Sequence, residues 1–168
     1  MEAVYLDKHT SLIEGCRRQN PKAQFEIYKL YAKAMFNVSL RIVNHEAEAE
    51  DVLQEAFLDA FTRINSFREE TSFGLWLKQI VINKSINLLR KRKAVLVDIE
   101  GLDIADLDSP DEYNIELKVA EIRNAIGKLA DGYRVVLTLY LFEGYDHEEI
   151  AYILNISENT SRSQYMRA

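Results

Sequence analysis

A chain of 168 residues with 48% hydrophobic content fills one core or two small ones, and six Gly and two Pro against runs of Leu, Ile, Ala, Glu and Lys exclude a sheet protein. The single Cys16 excludes a disulfide framework and a thiolate metal cluster, no apolar stretch reaches the length of a membrane span, and no leader-like segment opens the chain; a cytoplasmic protein without membrane insertion is expected. The formal charge of -6 argues against nucleic-acid binding until it is located: residues 1–93 carry +3, residues 94–116 carry -8 and residues 117–168 carry -1.

Pro21 opens a segment in which Phe25, Tyr28, Ala32, Met35, Phe36 and Leu40 recur at helical spacing, predicting a helix over 22–43. Residues 45–64 repeat the pattern, with Leu53, Phe57, Ala60, Phe61 and Ile64 as an apolar stripe and Asp51, Gln54, Glu55 and Leu58 on other faces. Periodicity breaks over 66–71. A third helix is predicted from Ser72 to about Arg92, apolar at Phe73, Trp76, Leu77, Ile80 and Val81 and ending in four cations at 90–93, which suit a helix C-terminus. Residues 98–114 combine carboxylates with Gly101, Ser109 and Pro110 and show no helical period, so they read as a tether. Two further helices are expected over 115–129 and 133–142, the second burying Val135, Val136, Leu139 and Tyr140 before Gly144 stops it.

The last 22 residues form a helix-turn-helix pattern. Ile150, Ile153 and Leu154 make one short buried stripe, Asn155 suits the turn, and Ser157 caps a second helix carrying Ser161, Arg162, Gln164, Tyr165 and Arg167, residue types able to reach base edges and phosphates. Two amphipathic core helices with a solvated face are the plainer alternative. The expected fold is all-α: two small helical domains, 1–93 and 115–168, joined by an acidic flexible linker over 94–114, the C-terminal domain being the helix-turn-helix.

A second cluster lies on the third helix, where Trp76, Ile80, Asn83 and Asn87 share one stripe beside Arg90 and Arg92. Amides donate and accept at base edges, and the cations could hold neighbouring phosphates. Phe67 and Arg68 precede this helix, and an aromatic ring and a guanidinium suit exposed bases, which stack with roughly 1–3 kcal/mol each. A core Trp76 and ordinary polar asparagines are the structural alternative. Carboxylate-rich stretches at His45-Glu46, at Glu50, Asp51 and Glu55, and at His147-Glu148-Glu149 hint at an enzyme, but neither metal-ligand spacing nor a phosphate-binding glycine loop accompanies them. No catalytic residue, metal, cofactor or small-molecule substrate is therefore expected.

In order and spacing these features resemble the bacterial extracytoplasmic-function sigma factors of the sigma-70 family. The marks are AEDVLQEAF at 49–57, FGLWLKQIVIN at 73–83, YRVVL at 133–137 and EGYDHEEIA at 143–151 running into 157–168. The resemblance implies a transcription initiation factor that binds core RNA polymerase and promoter DNA and is held inactive by an anti-sigma factor. It implies that the face with Asp51, Gln54 and Glu55 docks on polymerase. The stretch from Phe67 to Asn87, with Arg68, Trp76 and Asn83, would melt the minus-ten element, extruding a base at a few kcal/mol of unstacking. Arg162, Ser163, Met166 and Arg167 match recognition-helix positions for the minus-thirty-five element, Arg to guanine being the expected specific pair. The linker carboxylates would thread polymerase channels as phosphate mimics, or serve as a solvated tether. Family members commonly continue with basic residues beyond the position of Ala168, so weak minus-thirty-five binding is expected. The alternative is a conventional helix-turn-helix regulator that binds duplex DNA without polymerase.

Overall fold

The computed structural model describes residues 9–96 and 115–168, and the described residues hold helices with no strand. The chain divides into two compact units, Met1–Leu88 and Leu89–Ala168. Most of the acidic segment read as a linker lies outside the described residues.

The first unit opens with α1 (Thr10–Arg17), followed by α2 (Pro21–Val43), α3 (Glu46–Thr62), a 3-10 turn (Ile64–Ser66) and α4 (Phe73–Leu96), which begins in this unit. Pro21 sits at the first position of α2 because its missing N–H costs nothing there, and the Asn20 side chain caps the end by accepting from the Lys22 N–H at 2.9 Å. Asn44 stops α2 in the left-handed conformation, and His45 Nδ1 caps α3 by accepting from the Glu48 N–H at 3.3 Å. Glu46 and Glu48 then lie against the positive end of the helix, so this His-Glu run is a cap. α4 starts where the Ser72 hydroxyl accepts from the Leu75 N–H at 3.2 Å, and it continues to Leu96, beyond the boundary expected at Lys93.

These helices enclose one apolar core in which Ile13, Ile27, Ile42, Val43, Ile64, Phe73, Leu77, Val81 and Ile82 are fully buried. α1 was not foreseen in the sequence; it packs against α2 through Gly15, where an added Cβ would stand 2.5 Å from the Ala23 Cβ. α4 meets α2 through small and aromatic groups: the Ser85 hydroxyl donates to the Val81 carbonyl at 2.8 Å and lies 3.0 Å from the Ser39 hydroxyl, both side chains buried, and the Phe73 and Tyr31 rings stand 5.5 Å apart.

The second unit contains α5 (Ile115–Lys128), α6 (Asp131–Leu141), α7 (His147–Leu154) and α8 (Glu158–Arg167). Its core holds Val135, Val136, Leu139 and Ile150, together with the buried polar side chains of Arg134, Thr138 and Ser161. Tyr140, expected inside, is 37% exposed; its ring instead stacks on His147 with centroids 4.7 Å apart. Gly144, at φ 74, turns the chain out of α6 as expected, and the Tyr145 N–H closes back onto the Leu139 carbonyl at 3.0 Å.

Candidate nucleic-acid and partner interfaces

α7 and α8 form the expected helix-turn-helix. Asp146 and Glu149 make a reciprocal capping box at the start of α7, the Asp146 carboxylate accepting from the Glu149 N–H at 2.8 Å and the Glu149 carboxylate from the Asp146 N–H at 2.9 Å. Asn155 at φ 54 makes the turn, and the Ser157 hydroxyl accepts from the Thr160 N–H at 3.0 Å to start α8. The carboxylates at 148–149 therefore belong to the first turn of a helix.

The inward face of α8 differs from the sequence reading. Ser161 is buried and hydrogen-bonds His147 Nδ1 at 2.9 Å, and the Tyr165 ring packs on Tyr140 at 4.6 Å. Neither points to DNA, because a helix of this pitch turns residues 161 and 165 to the same side as the core. Gln164, half-buried, lies beside Gly132. Arg162, Ser163, Met166 and Arg167 are exposed, with Met166 at 80%, as are Glu158, Asn159 and Thr160 at the start of the helix. Glu158, one turn before Arg162, accepts a hydrogen bond from its guanidinium, and that contact, followed by the charge attraction, raises the Arg162 pKa.

In the first unit, Asn83 and Asn87 are exposed on α4, with Arg90 exposed and Arg92 half-buried farther along the same helix. Ile80, read as part of their stripe, is buried; Leu75 and Gln79 take its place on the outer face. Trp76 is half-buried, its ring 5.3 Å from Phe67 and 5.6 Å from Phe73. Phe67 is only 3% exposed, so it lies beneath Trp76 as a floor and offers no free face for stacking; Arg68 next to it is exposed. The structure thus brings Trp76, Asn83 and Asn87 onto one side of α4 and places Phe67 beneath Trp76.

The loop 67–72 is held from α1. Arg17 donates through Nη2 to the Phe67 carbonyl at 3.0 Å and through Nη1 to the Glu69 carboxylate at 3.0 Å, with Glu14 as a further partner within α1. Burial works against the charge of Arg17, but its hydrogen bonds to Glu14 and Glu69 and their charge attraction together outweigh it and raise its pKa. Sequence reasoning missed Arg17, since its partners lie about fifty residues away along the chain.

Asp51, Gln54 and Glu55 are exposed together on α3, and Leu58, one turn on, is 69% exposed. Beside them a groove of about 330 Å³ runs between α2 and α3, lined by Tyr28, Phe36, Leu53 and Gln54 among others. An exposed leucine next to an apolar groove rimmed by polar groups is a surface suited to a protein partner. Among the described residues, no three His, Cys, Asp or Glu side chains are grouped to hold a metal, and no helix is long and apolar enough to cross a membrane.

Comparison with known proteins gives concordant matches. Residues 27–95 match sigma-70 region 2 and residues 120–168 match sigma-70 region 4. The RNA polymerase sigma-H factor of Pseudomonas aeruginosa is 29% identical over 174 residues, spanning 96% of this chain and 90% of that protein. The ECF RNA polymerase sigma factor SigW of Bacillus subtilis is 30% identical over 167 residues, spanning 92% and 89%. Two solved structures share the fold: CnrH in complex with the cytosolic domain of CnrY (TM-score 0.56, 23% identity, 96% of this chain and 92% of that one), and the sigma factor RpoE with the anti-sigma factor NepR from Bartonella quintana (TM-score 0.57, 23% identity, 84% and 89%).

Proposed function

The chain belongs to the extracytoplasmic-function sigma factors of the sigma-70 family, transcription initiation factors that bind core RNA polymerase and direct it to promoters, and from that premise we propose how its surfaces divide the work. A conventional regulator acting without polymerase is not favoured, since relatives named as polymerase sigma factors align along nearly the whole chain.

The first domain, 1–93, binds polymerase and opens the minus-ten element; the second, 115–168, reads the minus-thirty-five element; the acidic residues 94–114 connect them. The polymerase contact is the face of Asp51, Gln54 and Glu55, supported by its exposure beside Leu58 and the α2–α3 groove. An anti-sigma factor competes for the same chain, as RpoE is captured by NepR in its solved complex. The protein works in the cytoplasm, where its polymerase is, and performs no covalent chemistry: its contribution to opening is binding energy directed at the unpaired strand.

The observation that carries the minus-ten assignment is the exposure of Asn83 and Asn87 on the same helix as the half-buried Trp76. Each amide donates and accepts, so each can match a base edge released from its pair. The Trp76 ring, supported from behind by Phe67 and Phe73, is a rigid platform for an extruded base. Arg68, Arg90 and Arg92 meet the backbone phosphates. On α8, Arg162 and Arg167 approach guanines, Ser163 a phosphate or base edge, and Met166 a thymine methyl. With a net charge of -1 over 117–168, this domain alone binds DNA weakly and acts within the polymerase complex.

The test is co-migration with core polymerase on a sizing column coupled to run-off transcription. Replacing Asn83 and Asn87 together by Ala should leave co-migration intact and abolish opening; normal opening would remove the amide face from consideration. Replacing Gln54 and Glu55 by Ala should lower core affinity in a protein that stays folded, as read by circular dichroism, and retained affinity would move the polymerase contact elsewhere.

A further inference from the structure

No residue of α1 has a role assigned so far, yet α1 reaches the loop that precedes α4. Arg17 holds that loop at two points, the Phe67 carbonyl oxygen and the Glu69 carboxylate, each at 3.0 Å. Glu69 is in the left-handed conformation at φ 61, which a non-glycine residue keeps only when its surroundings fix it. A charge-assisted bond from a planar guanidinium supplies such a fixture, because two of its N–H groups point in set directions. The carbonyl that Arg17 grips belongs to Phe67, whose ring lies beneath Trp76, so a chain of contacts runs from α1 through the loop to the base platform. α1 itself is seated on α2 by the close approach of Gly15 to Ala23.

We propose that Arg17 is a positioning residue for promoter opening: α1 acts as a strut that holds residues 67–72, and with them Arg68 and the Phe67–Trp76 platform, in the shape that receives an extruded base. The proposal rests on the assignment of residues 67–87 to the minus-ten element and adds to it a residue fifty or more positions away along the chain that never touches DNA.

The full chain is assembled with core polymerase as wild type, Arg17→Ala, Arg17→Lys, Glu69→Gln, Arg68→Ala and Asn83→Ala. Each holoenzyme is titrated with a single-stranded oligonucleotide bearing the non-template minus-ten sequence of a promoter the protein transcribes. In parallel, the emission of Trp76, the one tryptophan of the chain, is quenched with acrylamide in each free protein. Arg17→Ala should bind core polymerase as wild type does, bind the oligonucleotide about tenfold more weakly, and leave Trp76 easier to quench. Arg17→Lys, which keeps the charge and loses the fork, should fall between the two. If Asn83→Ala and Arg68→Ala weaken oligonucleotide binding while Arg17→Ala does not, the strut is overturned and the minus-ten assignment stands. If none of the three weakens it, the minus-ten assignment fails and the strut with it. Should Arg17→Ala fail to fold, Glu69→Gln, which removes the charge of the loop-side partner while keeping an acceptor oxygen, decides by the same criterion.

Discussion

Thr138 lies on the inner face of α6, fully buried, with its hydroxyl oxygen lacking a hydrogen-bond partner. A buried unsatisfied hydroxyl carries its full desolvation penalty, so Thr138→Val, nearly the same in shape, should raise stability by about 1 kcal/mol. A urea titration followed by circular dichroism measures this, and a loss of stability would mean that the hydroxyl is satisfied by water. Ser161 shows the opposite arrangement, its hydroxyl meeting His147 Nδ1. That pair also shows where residue-level sequence reading stops. α8 is polar on every side, so no apolar stripe marks the face that turns inward, and Ser161 could be assigned to DNA until His147 was seen to be its partner. Arg162 and Arg167 could be read correctly as exposed because a buried arginine needs a dedicated partner, of the kind Arg134 finds in Asp131 and the Leu129 carbonyl.

The long helices were legible from their caps and apolar period, but the stripe read for α2 is not its buried face: Phe25 and Tyr28 are exposed, while Ile27, Val38, Ile42 and Val43 turn inward with Met35. Asn20 and Pro21 begin α2 and Asn44 ends it, while Ala49, Val52, Leu53, Ala56 and Phe57 give α3 its buried face. α1 escaped notice because eight residues with two buried side chains, Ile13 and Cys16, make too short a period to register. The spacing of Asp146 and Glu149 did carry a start signal for α7, and the structure gives it a function in the helix-turn-helix. Asp146→Ala removes one half of the capping box and should destabilise α7 by about 1 kcal/mol. Amide exchange at residues 147–151 should quicken by roughly sevenfold if opening of α7 is local, about 1.1 kcal/mol at room temperature. An unchanged rate there would show that neighbouring packing, rather than the cap, holds the helix start.

The two units are unequal in the apolar material that closes them. Among the described residues, the second is sealed chiefly by Val135, Val136, Leu139 and Ile150, and the first by a far larger set from Ile13 to Ile86. Since stability follows buried apolar area, amides of α6 to α8 should exchange before those of α2 and α4 in the free protein, and binding of promoter DNA by the polymerase complex should slow the former most. Hydrogen exchange read by mass spectrometry would reveal the order, and simultaneous exchange would mean that the two units unfold as one. The buried hydroxyls of Ser39 and Ser85 bear on the larger unit in another way. α4 can neither slide nor roll on α2 without parting them. The stretch from Trp76 to Asn87, about 16 Å at 1.5 Å per residue, is therefore a ruler with a fixed origin, its length near five steps of a stacked strand at about 3.4 Å each. On the minus-ten assignment proposed above, such a gauge would set how many unpaired bases α4 spans.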